Sequence, residues 1–436
     1  MVDKLKVGLA GLGTVGSAVV RILQDKASQL AATVGRPVEL VAFCAKDIRD
    51  GSLDLSAVRR VADPVALAAD PGIDVLVELM GGEGDPAKST VETALKSGKA
   101  VVTANKALIA AHGAALARLA EDNGVAFNFE AAVAGGIPVI KTMREGLLAN
   151  RIDRVWGILN GTCNYILTRM FDEKLAFADC LKEAQRLGYA EADPTFDIDG
   201  FDTAHKLAIL ASLAFGTEVD KDAIYVEGIR QISLADLEMA DELGYRVKLL
   251  GVAVRTEAGI EQRVHPTMVP KDAPLAQVGS VTNAVKIDGD KVSLTLIGPG
   301  AGGPATASAV VADLCDIARG NRVAPFGRPI ALMAKPQRAP MQQHAGGYYI
   351  RLAAVDKPGT AATIARRMAD EQISLESIVQ RRRGHRAEPQ EPCSVPAPVV
   401  LITYATSEDA VRRALAAIES DGVIVGAPQV IRIEQN

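Results

Sequence analysis

Short apolar runs and amphipathic runs alternate through the first third of the chain. Five runs have the length and composition of buried strands, and residues with helical spacing separate them. The strand candidates are Leu5–Ala10, Val38–Phe43, Asp74–Met80, Lys99–Thr103 and Val125–Glu130. Helical spacing is clear in Ser89–Lys96 and Ala107–Asp122. Because parallel strands need a crossover helix between them, this order predicts a doubly wound parallel α/β sheet over residues 1–134.

The pattern changes in the middle of the chain. Polar and apolar positions alternate in Gly259–Val264 and Ala284–Ile297, as in half-buried strands, and the helical runs are longer. Residues 135–299 are therefore expected to form an α+β domain with a mixed sheet. A glycine-rich turn then precedes a helical run, Ala305–Arg319, and we expect this 300–330 segment to return to the first domain.

A stretch rich in Pro, Gln and Gly at 331–347 is the clearest linker in the chain. Beyond it, residues 348–436 contain strand and helix signals in the order βαββαβ. The expected elements are strands Tyr348–Val355, Leu375–Arg381, Val399–Tyr404 and Gln429–Ile433, and helices Thr360–Glu371 and Glu408–Ser420. A charged, proline-rich stretch at 381–398 separates the second and third strands, and we predict a mobile hairpin loop there.

Composition restricts the class of protein. The 436 residues suit two or three domains; 48% are hydrophobic but only 4% aromatic, so the cores must consist mainly of aliphatic side chains. A net charge of −5 and the lack of a basic stripe argue against nucleic acid as a partner. No apolar run is long enough to span a membrane, and the N-terminus does not resemble a signal peptide. The five scattered cysteines include no C-x-x-C pair, which favours a reducing, cytoplasmic location.

Gly11, Gly13 and Gly16 form a G-x-G-x-x-G motif between the first strand and the first helix. Glycines allow a tight turn and the close approach of a pyrophosphate. The start of the helix, at Thr14 and Val15, then faces the negative charge. The motif therefore predicts a dinucleotide site.

The end of the second strand bears on which dinucleotide binds. An acid at this place would bond the ribose of NAD, whereas this strand ends in Phe43-Cys44-Ala45-Lys46. Lys46, together with Arg49, could meet a 2′-phosphate, although Asp47 follows at once. NADPH is therefore favoured, and NAD stays open.

Two further positions are candidates for ligand contact near the nucleotide. Lys106 follows the carboxyl end of a strand, where ligands bind in open α/β sheets. It could contact the cofactor, the substrate or both, or it could be a solvated lysine at the start of a helix. Gly302 lies in the second glycine-rich turn, which we expect to face the same nucleotide.

A run of carboxylates lies between Gly188 and Lys206. Five carboxylates fall within nineteen residues, and the stretch leads directly into an apolar helical run. Asp202 and Lys206 share one helix face at i, i+4, so the carboxylate can hold the lysine. A partly buried lysine with acidic neighbours can donate a proton to a nascent alkoxide, and the remaining acids suit a small cationic ligand. His205 is a rival proton donor, but it points about 100° round the helix from Lys206.

Cys163 raises a different chemistry. A thiolate nucleophile would allow a thioester route, as in phosphorylating aldehyde dehydrogenases. No convincing histidine motif accompanies this cysteine. A packed loop cysteine is therefore the favoured interpretation, and the thiol route is the alternative.

The stretch Ala184–Lys206 resembles the signature of the homoserine dehydrogenase family. Eight of its residues have the family's spacing, namely Ala184, Gly188, Asp193, Pro194, Asp197, Gly200, Asp202 and Lys206. GLGTVG, TANKALIA, EAAVAGGIP and GILNGTCNYIL resemble further family blocks in the family order, so the resemblance covers essentially all 436 residues. It implies a Rossmann-type sheet followed by a catalytic and dimerisation domain. It also implies the monofunctional form, because no aspartate kinase segment precedes the glycine turn.

The resemblance implies reversible reduction of L-aspartate 4-semialdehyde to L-homoserine with NAD(P)H, in threonine, methionine and isoleucine biosynthesis. Lys206 is then the favoured proton donor, oriented by Asp202, and Lys106 is the second candidate. Glu191 matches the carboxylate that holds the substrate ammonium. Further candidates for substrate contact are Tyr189, Asp197 and Thr162.

The resemblance also implies a cation site and a regulatory domain. The cation is monovalent, usually sodium, and its ligands match Glu130 and the backbone of Val133, Gly135 and Ile137. Residues 348–436 resemble an ACT domain of ferredoxin-like order, in which the turn Asp356–Gly359 matches the ligand turn. Feedback by L-threonine and a homodimer or homotetramer are expected. The alternatives are an ACT domain that only dimerises and a non-catalytic amino-acid-sensing protein.

Overall fold

The first sheet has six parallel strands in the order β3-β2-β1-β4-β5-β6. The structure, a computed structural model, describes residues 3–48, 50–341, 344–380 and 396–434. The strands are β1 (Leu5–Ala10), β2 (Val38–Cys44), β3 (Arg59–Arg60), β4 (Val75–Glu78), β5 (Ala100–Thr103) and β6 (Phe127–Asn128). The connecting helices are α1 (Thr14–Asp25), α2 (Ala27–Val34), α3 (Pro64–Ala69), α4 (Ala87–Lys96) and α5 (Lys106–Asp122). The doubly wound parallel sheet expected from the alternating pattern is confirmed.

Two differences from the predicted elements fall in this first sheet. The expected strand Val125–Glu130 is wrong at both ends, because pairing with β5 covers only two residues and Glu130 begins a 3-10 turn. Helix α2 and strand β3 were not predicted. Strand β3 consists of two exposed arginines and therefore carries no apolar signal.

The middle of the chain forms a mixed, largely antiparallel sheet covered by helices. Its helices are α6 (Val139–Lys141), which continues as a π turn (Thr142–Gly146), α7 (Gly161–Glu173), α8 (Phe177–Arg186), α9 (Thr195–Ile198), α10 (Phe201–Phe215) and α11 (Leu234–Glu242). Its strands are β7 (Ile152–Ile158), β8 (Tyr225–Val226), β9 (Tyr245–Thr256), β10 (Gly259–Pro270), β11 (Thr282–Gly289) and β12 (Ser293–Pro299). Helix α12 (Gly303–Ala318) then packs on α1 of the first sheet, where Val310 and Leu314 join the same apolar cluster as Val19 and Val20.

The C-terminal elements follow the βαββαβ order. They are β13 (Ala345–Ala354), α13 (Thr360–Asp370), β14 (Leu375–Gln380), β15 (Ala397–Thr403), the short β16 (Thr406–Ser407), α14 (Glu408–Ser420) and β17 (Gln429–Ile433). The hairpin loop predicted at 381–398 lies almost wholly outside the described residues. The stretch 331–347 follows the preceding domain closely, since Ala334 bridges to Thr217 and Arg338 bridges to Ile260.

The middle and C-terminal strands form one continuous sheet. Its order is β12-β11-β7-β9-β10-β17-β13-β15-β14, and β17 pairs in parallel with β10 at Thr267–Arg432 and Met268–Ile433. Buried ion pairs reinforce this joint. Arg432 bonds Glu408 and Glu227, and Glu434 bonds Arg154 and Arg263.

Candidate active site

The turn between β1 and α1 leaves an open surface at the start of α1. Gly11 has φ +104°, and a Cβ there would lie 2.6 Å from the carbonyl oxygen of Leu79, so glycine is required. A Cβ on Gly16 would lie 2.1 Å from the carbonyl oxygen of Gly11. Gly13 meets nothing within 4 Å, and Thr14 then begins the helix. The open backbone at a helix N-terminus suits a pyrophosphate.

A second helix begins beside the first. Gly302, the N-cap of α12, has φ +104° and no atom within 4 Å of a built Cβ. A Cβ on the next residue, Gly303, would lie 2.9 Å from the carbonyl oxygen of Thr14. The two helix N-termini therefore adjoin, and Val15 and Gly302 line the same cavity.

The end of β2 carries a cation that the sequence analysis missed. Arg60 of β3 donates Nη2 to the carbonyl oxygens of Ala45 at 3.1 Å and Lys46 at 3.5 Å. Lys46 itself is exposed, and Arg49 lies outside the described residues. Lys46 and Arg60 are thus two basic residues at the end of β2, and Arg60 reaches this place because β3 pairs with β2.

A cavity of about 780 Å³ lies between the nucleotide turns and the middle domain. It brings together residues that are distant in the sequence and that the motifs had singled out separately. The predicted site residues in its lining are Val15, Lys106, Gly135, Thr162, Tyr189, Asp197, Asp202, Lys206 and Gly302. Glu191 and Lys46 are exposed outside this lining.

Asp202 is the centre of the cavity's charged floor. The left-handed Gly200 (φ +91°) turns the chain into α10, which places Asp202 and Lys206 on successive turns. Lys206 Nζ donates to Asp202 Oδ2 at 2.8 Å and to the carbonyl oxygen of Leu159 at 2.7 Å. Lys106 Nζ lies 3.0 Å from Asp202 Oδ1. One buried carboxylate therefore holds two lysines.

The electrostatics of this floor keep the charges in place. Burial alone would raise the pKa of Asp202, but Lys206 and Lys106 hold that pKa well below its usual value. The Asp202 carboxylate in turn raises the pKa of Lys106. Burial and the nearby Asp202 raise the pKa of Asp197. The side chain of Lys206 is 10% exposed and that of Lys106 is 33% exposed, so Lys106 is closer to solvent.

Two asparagines that the sequence analysis did not single out position these groups. Asn160 donates Nδ2 to Asp202 at 2.8 Å and to Asp197 at 2.8 Å, while its Oδ1 caps α7. Asn105 caps α5, which begins with Lys106, and bonds the carbonyl oxygen of Gly82 at 2.7 Å. The bonds of Asn160 to the two aspartates and of Asn105 to Gly82 join distant segments, so they depend on tertiary packing. The helix caps are local, and the preference of asparagine for the N-cap position was a usable signal in the sequence.

The rival residues lie in less suitable surroundings. The Cys163 thiol is buried and donates to the carbonyl oxygen of Asp197 at 3.2 Å, and burial raises its pKa well above the usual value. A thiolate is therefore disfavoured, which argues against the thioester route. His205 packs edge-on against Phe196 and is not in the cavity lining.

The predicted cation ligands differ in what they offer. The Glu130 carboxylate accepts from the amides of Ile140 at 2.9 Å and Lys141 at 2.7 Å, and the carbonyl oxygen of Glu130 accepts from the amide of Val133 at 3.4 Å. Left-handed Ala134 (φ 56°) and Gly135 (φ 48°) turn the backbone here. Backbone carbonyls in such a turn suit a monovalent cation. Among the described residues, no group of three or more His, Cys, Asp or Glu side chains could hold a metal ion.

Comparison with known proteins gives matches along the whole chain. Residues 11–130 match the model of the NAD-binding domain of homoserine dehydrogenase, 138–315 match the homoserine dehydrogenase model, and 348–422 match the ACT domain model. Within the described residues, no helix has the length and apolar character needed to cross a bilayer.

Individual relatives agree with these models. A homoserine dehydrogenase of Pseudomonas aeruginosa is 46% identical over 438 residues, covering 99% of both chains. The crystal structure of one from Thiobacillus denitrificans has a TM-score of 0.92 and 42% identity, covering 100% of this chain and 99% of that one. A hyperthermophilic archaeal homoserine dehydrogenase solved in complex with NADPH has a TM-score of 0.60 and 28% identity, covering 72% of this chain and 97% of that one. The resemblance seen in the motifs is confirmed, and this chain belongs to the homoserine dehydrogenase family.

Proposed function

We propose that the chain reduces L-aspartate 4-semialdehyde to L-homoserine with Lys206 as the proton donor. The observation that carries the proposal is the pair of lysines on buried Asp202, in a cavity that also reaches the start of α1. The reverse reaction provides a direct test. Purified protein, homoserine and NADP⁺ should produce NADPH absorbance, and the lack of a signal at every salt condition contradicts the proposal.

The chemistry divides between the cofactor and the chain. The helix starts at Val15 and Gly302 would hold a reduced nicotinamide dinucleotide, which would provide the hydride for the carbonyl carbon of the semialdehyde. The carbonyl oxygen then carries the electron pair of the former π bond, and the Lys206 ammonium gives it a proton to form the hydroxyl of homoserine. Lys106 stays charged beside Asp202 and stabilises the developing negative charge. In the reverse direction, neutral Lys206 takes the hydroxyl proton.

The substrate's ammonium needs an acidic partner. We expect Glu191 to fill this role, because it matches the family's ammonium-binding carboxylate. Its negative charge already contributes to the raised pKa of Lys106, although its side chain is exposed. Asp197 lies in the cavity lining itself. Thr162 donates to the carbonyl oxygen of Tyr189 at 2.7 Å and joins the two sides of the cavity.

We propose NADPH as the preferred cofactor. Lys46 and Arg60 supply two positive charges at the end of β2, where the ribose 2′-phosphate of NADPH would lie. The ratio of kcat/KM for NADPH to that for NADH tests this preference directly. A ratio at or below one contradicts it.

Sodium and L-threonine complete the proposal. Sodium would bind the carbonyl oxygens near Gly135, so activity should rise when sodium chloride replaces choline chloride at equal ionic strength. L-Threonine would bind the ACT domain and inhibit the enzyme, which a titration of activity with threonine measures. The threonine, methionine and isoleucine pathways, a cytoplasmic location and a homodimer or homotetramer remain predictions, and sedimentation measures the last.

A further inference from the structure

A second, smaller cavity lies behind the wall of the active site. It has a volume of about 160 Å³, is open to solvent on one side and is lined by residues of α7, α11, β9 and 276–279. Since each water molecule takes about 30 Å³ of the liquid, this space holds about five waters or one small organic molecule. Apolar side chains of Leu167, Phe171 and Leu237 form part of its lining, and three charged side chains form another part.

Lys248 is the buried charged group of this cavity. The residue is 5% exposed, and its Nζ donates to Asn164 Oδ1 at 3.1 Å and to the carbonyl oxygen of Val278 at 2.6 Å. Both acceptors are neutral. Among the described residues, no carboxylate lies within ion-pair distance of Lys248, whereas the buried Lys206 has Asp202. A buried ammonium without a counter-charge is unfavourable, so an anion in the cavity would stabilise it.

The cavity lining contains two other charged side chains, one positive and one negative. Arg246, on the same strand as Lys248, lines the cavity and is already paired with Asp241. Asp172 lines the cavity as well but is exposed, so its carboxylate marks the open side. Burial and the charge of Arg246 lower the pKa of Lys248 to about 8, and Asp172 partly opposes them. The Lys248 ammonium inside the cavity is opposite in sign to the carboxylate of an amino acid. The Asp172 carboxylate at the opening is opposite in sign to its ammonium.

Asn164 connects this cavity to the active site. Its Nδ2 donates to the carbonyl oxygens of Val278 and Thr282, each at 3.2 Å, and its Oδ1 accepts from Lys248. Thr282 and Val281 line the large cavity that contains Lys206. Asn164 also lies in the first turn of α7. A ligand on Lys248 would therefore act on hydrogen bonds that hold the active-site wall.

We propose that this cavity is a second ligand site, which binds a small α-amino acid through its carboxylate at Lys248 and its ammonium near Asp172. Occupancy is communicated to the substrate cavity through Asn164. The site is separate from both the ACT domain and the catalytic lysines.

Calorimetric titration of the full chain with L-alanine tests the binding, with acetate as a probe that lacks the ammonium. Wild type should bind L-alanine more tightly than acetate. Lys248→Met and Asp172→Asn should each weaken L-alanine binding at least tenfold. Lys174→Met is the matched control, because Lys174 stacks on the same Phe171 at 4.2 Å but is exposed and lies outside the cavity lining.

The outcomes separate a ligand site from a purely structural lysine. Lack of binding by L-alanine and acetate to wild type overturns the proposal, and so does binding that survives both Lys248→Met and Asp172→Asn. Since Asp172 is exposed, its variant should keep the fold even where Lys248→Met does not. The coupling predicts that L-alanine shifts the KM for homoserine in wild type but not in Asp172→Asn. An unchanged KM at saturating L-alanine overturns the coupling.

Discussion

Replacement of Asp202 by asparagine removes the charge that holds both cavity lysines. At an effective dielectric constant of about 20, a pair of unit charges 2.8–3.0 Å apart interacts by about 5.5–6 kcal/mol before desolvation is counted. Lys106 is partly exposed, so solvent reduces its share. The neutral amide would keep the shape of the side chain but leave two ammonium groups without their partner.

The protonated form of Lys106 then becomes less favourable, because the Asp202 carboxylate raises the pKa of this lysine. Lys106 should therefore lose its charge, and with it the stabilisation of the developing negative charge, at a lower pH, so the high-pH limb of the kcat profile should move to lower pH. We expect a displacement of about 1–3 pH units, because an opposite charge at this distance contributes an effect of that size to the titration of its neighbour. At alkaline pH, kcat should fall by about 10²–10⁴, the usual contribution of a positioned proton donor.

The assay is kcat for semialdehyde reduction against pH, followed by NADPH absorbance. Asp199→Asn is a matched control from the same acidic stretch, since Asp199 pairs with the exposed Arg230 outside the cavity lining. If the two variants instead have the same high-pH limb and kcat values within threefold of each other, the Asp202 carboxylate does not support catalysis through the two lysines.

Four further substitutions test the individual roles. Lys206→Ala should lower kcat by orders of magnitude without changing the Kd of NADPH; a kcat within a few fold of wild type would transfer the donor role to the other lysine. Glu191→Leu should mainly raise the KM for homoserine, and an unchanged KM removes its role as ammonium partner. Cys163→Ser should keep kcat/KM within about threefold, because the thiol is buried; total loss of turnover would support the thiol route. Arg60→Ala should lower kcat/KM for NADPH at least tenfold, since a hydrogen bond to a charged group contributes about 1.5–3 kcal/mol. The kcat/KM for NADH should not change. Arg59→Ala is the control, and equal losses of kcat/KM for NADPH in both variants refute the assignment of Arg60 to the 2′-phosphate.

Patterns of adjacent residues predicted most of the helices and strands, and they predicted the one site contact that lies within a single helix. The strands and helices appear because their periodicity is a property of adjacent residues, and Asp202 with Lys206 needs only one helix. Lys106 begins a helix of the first domain and contacts Asp202 of the middle domain only when the two domains pack together. The partner of Lys106 could therefore not be predicted from the sequence. The same limit explains why Asn160 and Arg60 were missed.

Burial and long-range pairing are less visible in a sequence than periodicity. Glu191 is exposed and lies outside the cavity lining, so its contact with the substrate ammonium stays a prediction, whereas Asp197, also a predicted substrate contact, lies in the lining. The stretch 331–347 has the composition of a linker, but its backbone bridges to the middle domain. Hydrogen bonds between distant segments leave no periodic trace in either one.

The pairing of β17 with β10 predicts how the protein behaves when its C-terminal domain is removed. Removal of residues 348–434 would leave Thr267 and Met268 on an open sheet edge and would deprive Arg154 and Arg263 of Glu434. An open edge with unpaired backbone groups is a template for association with other chains. The isolated catalytic part is therefore expected to aggregate more readily than the whole, so its low activity would report self-association as much as lost regulation.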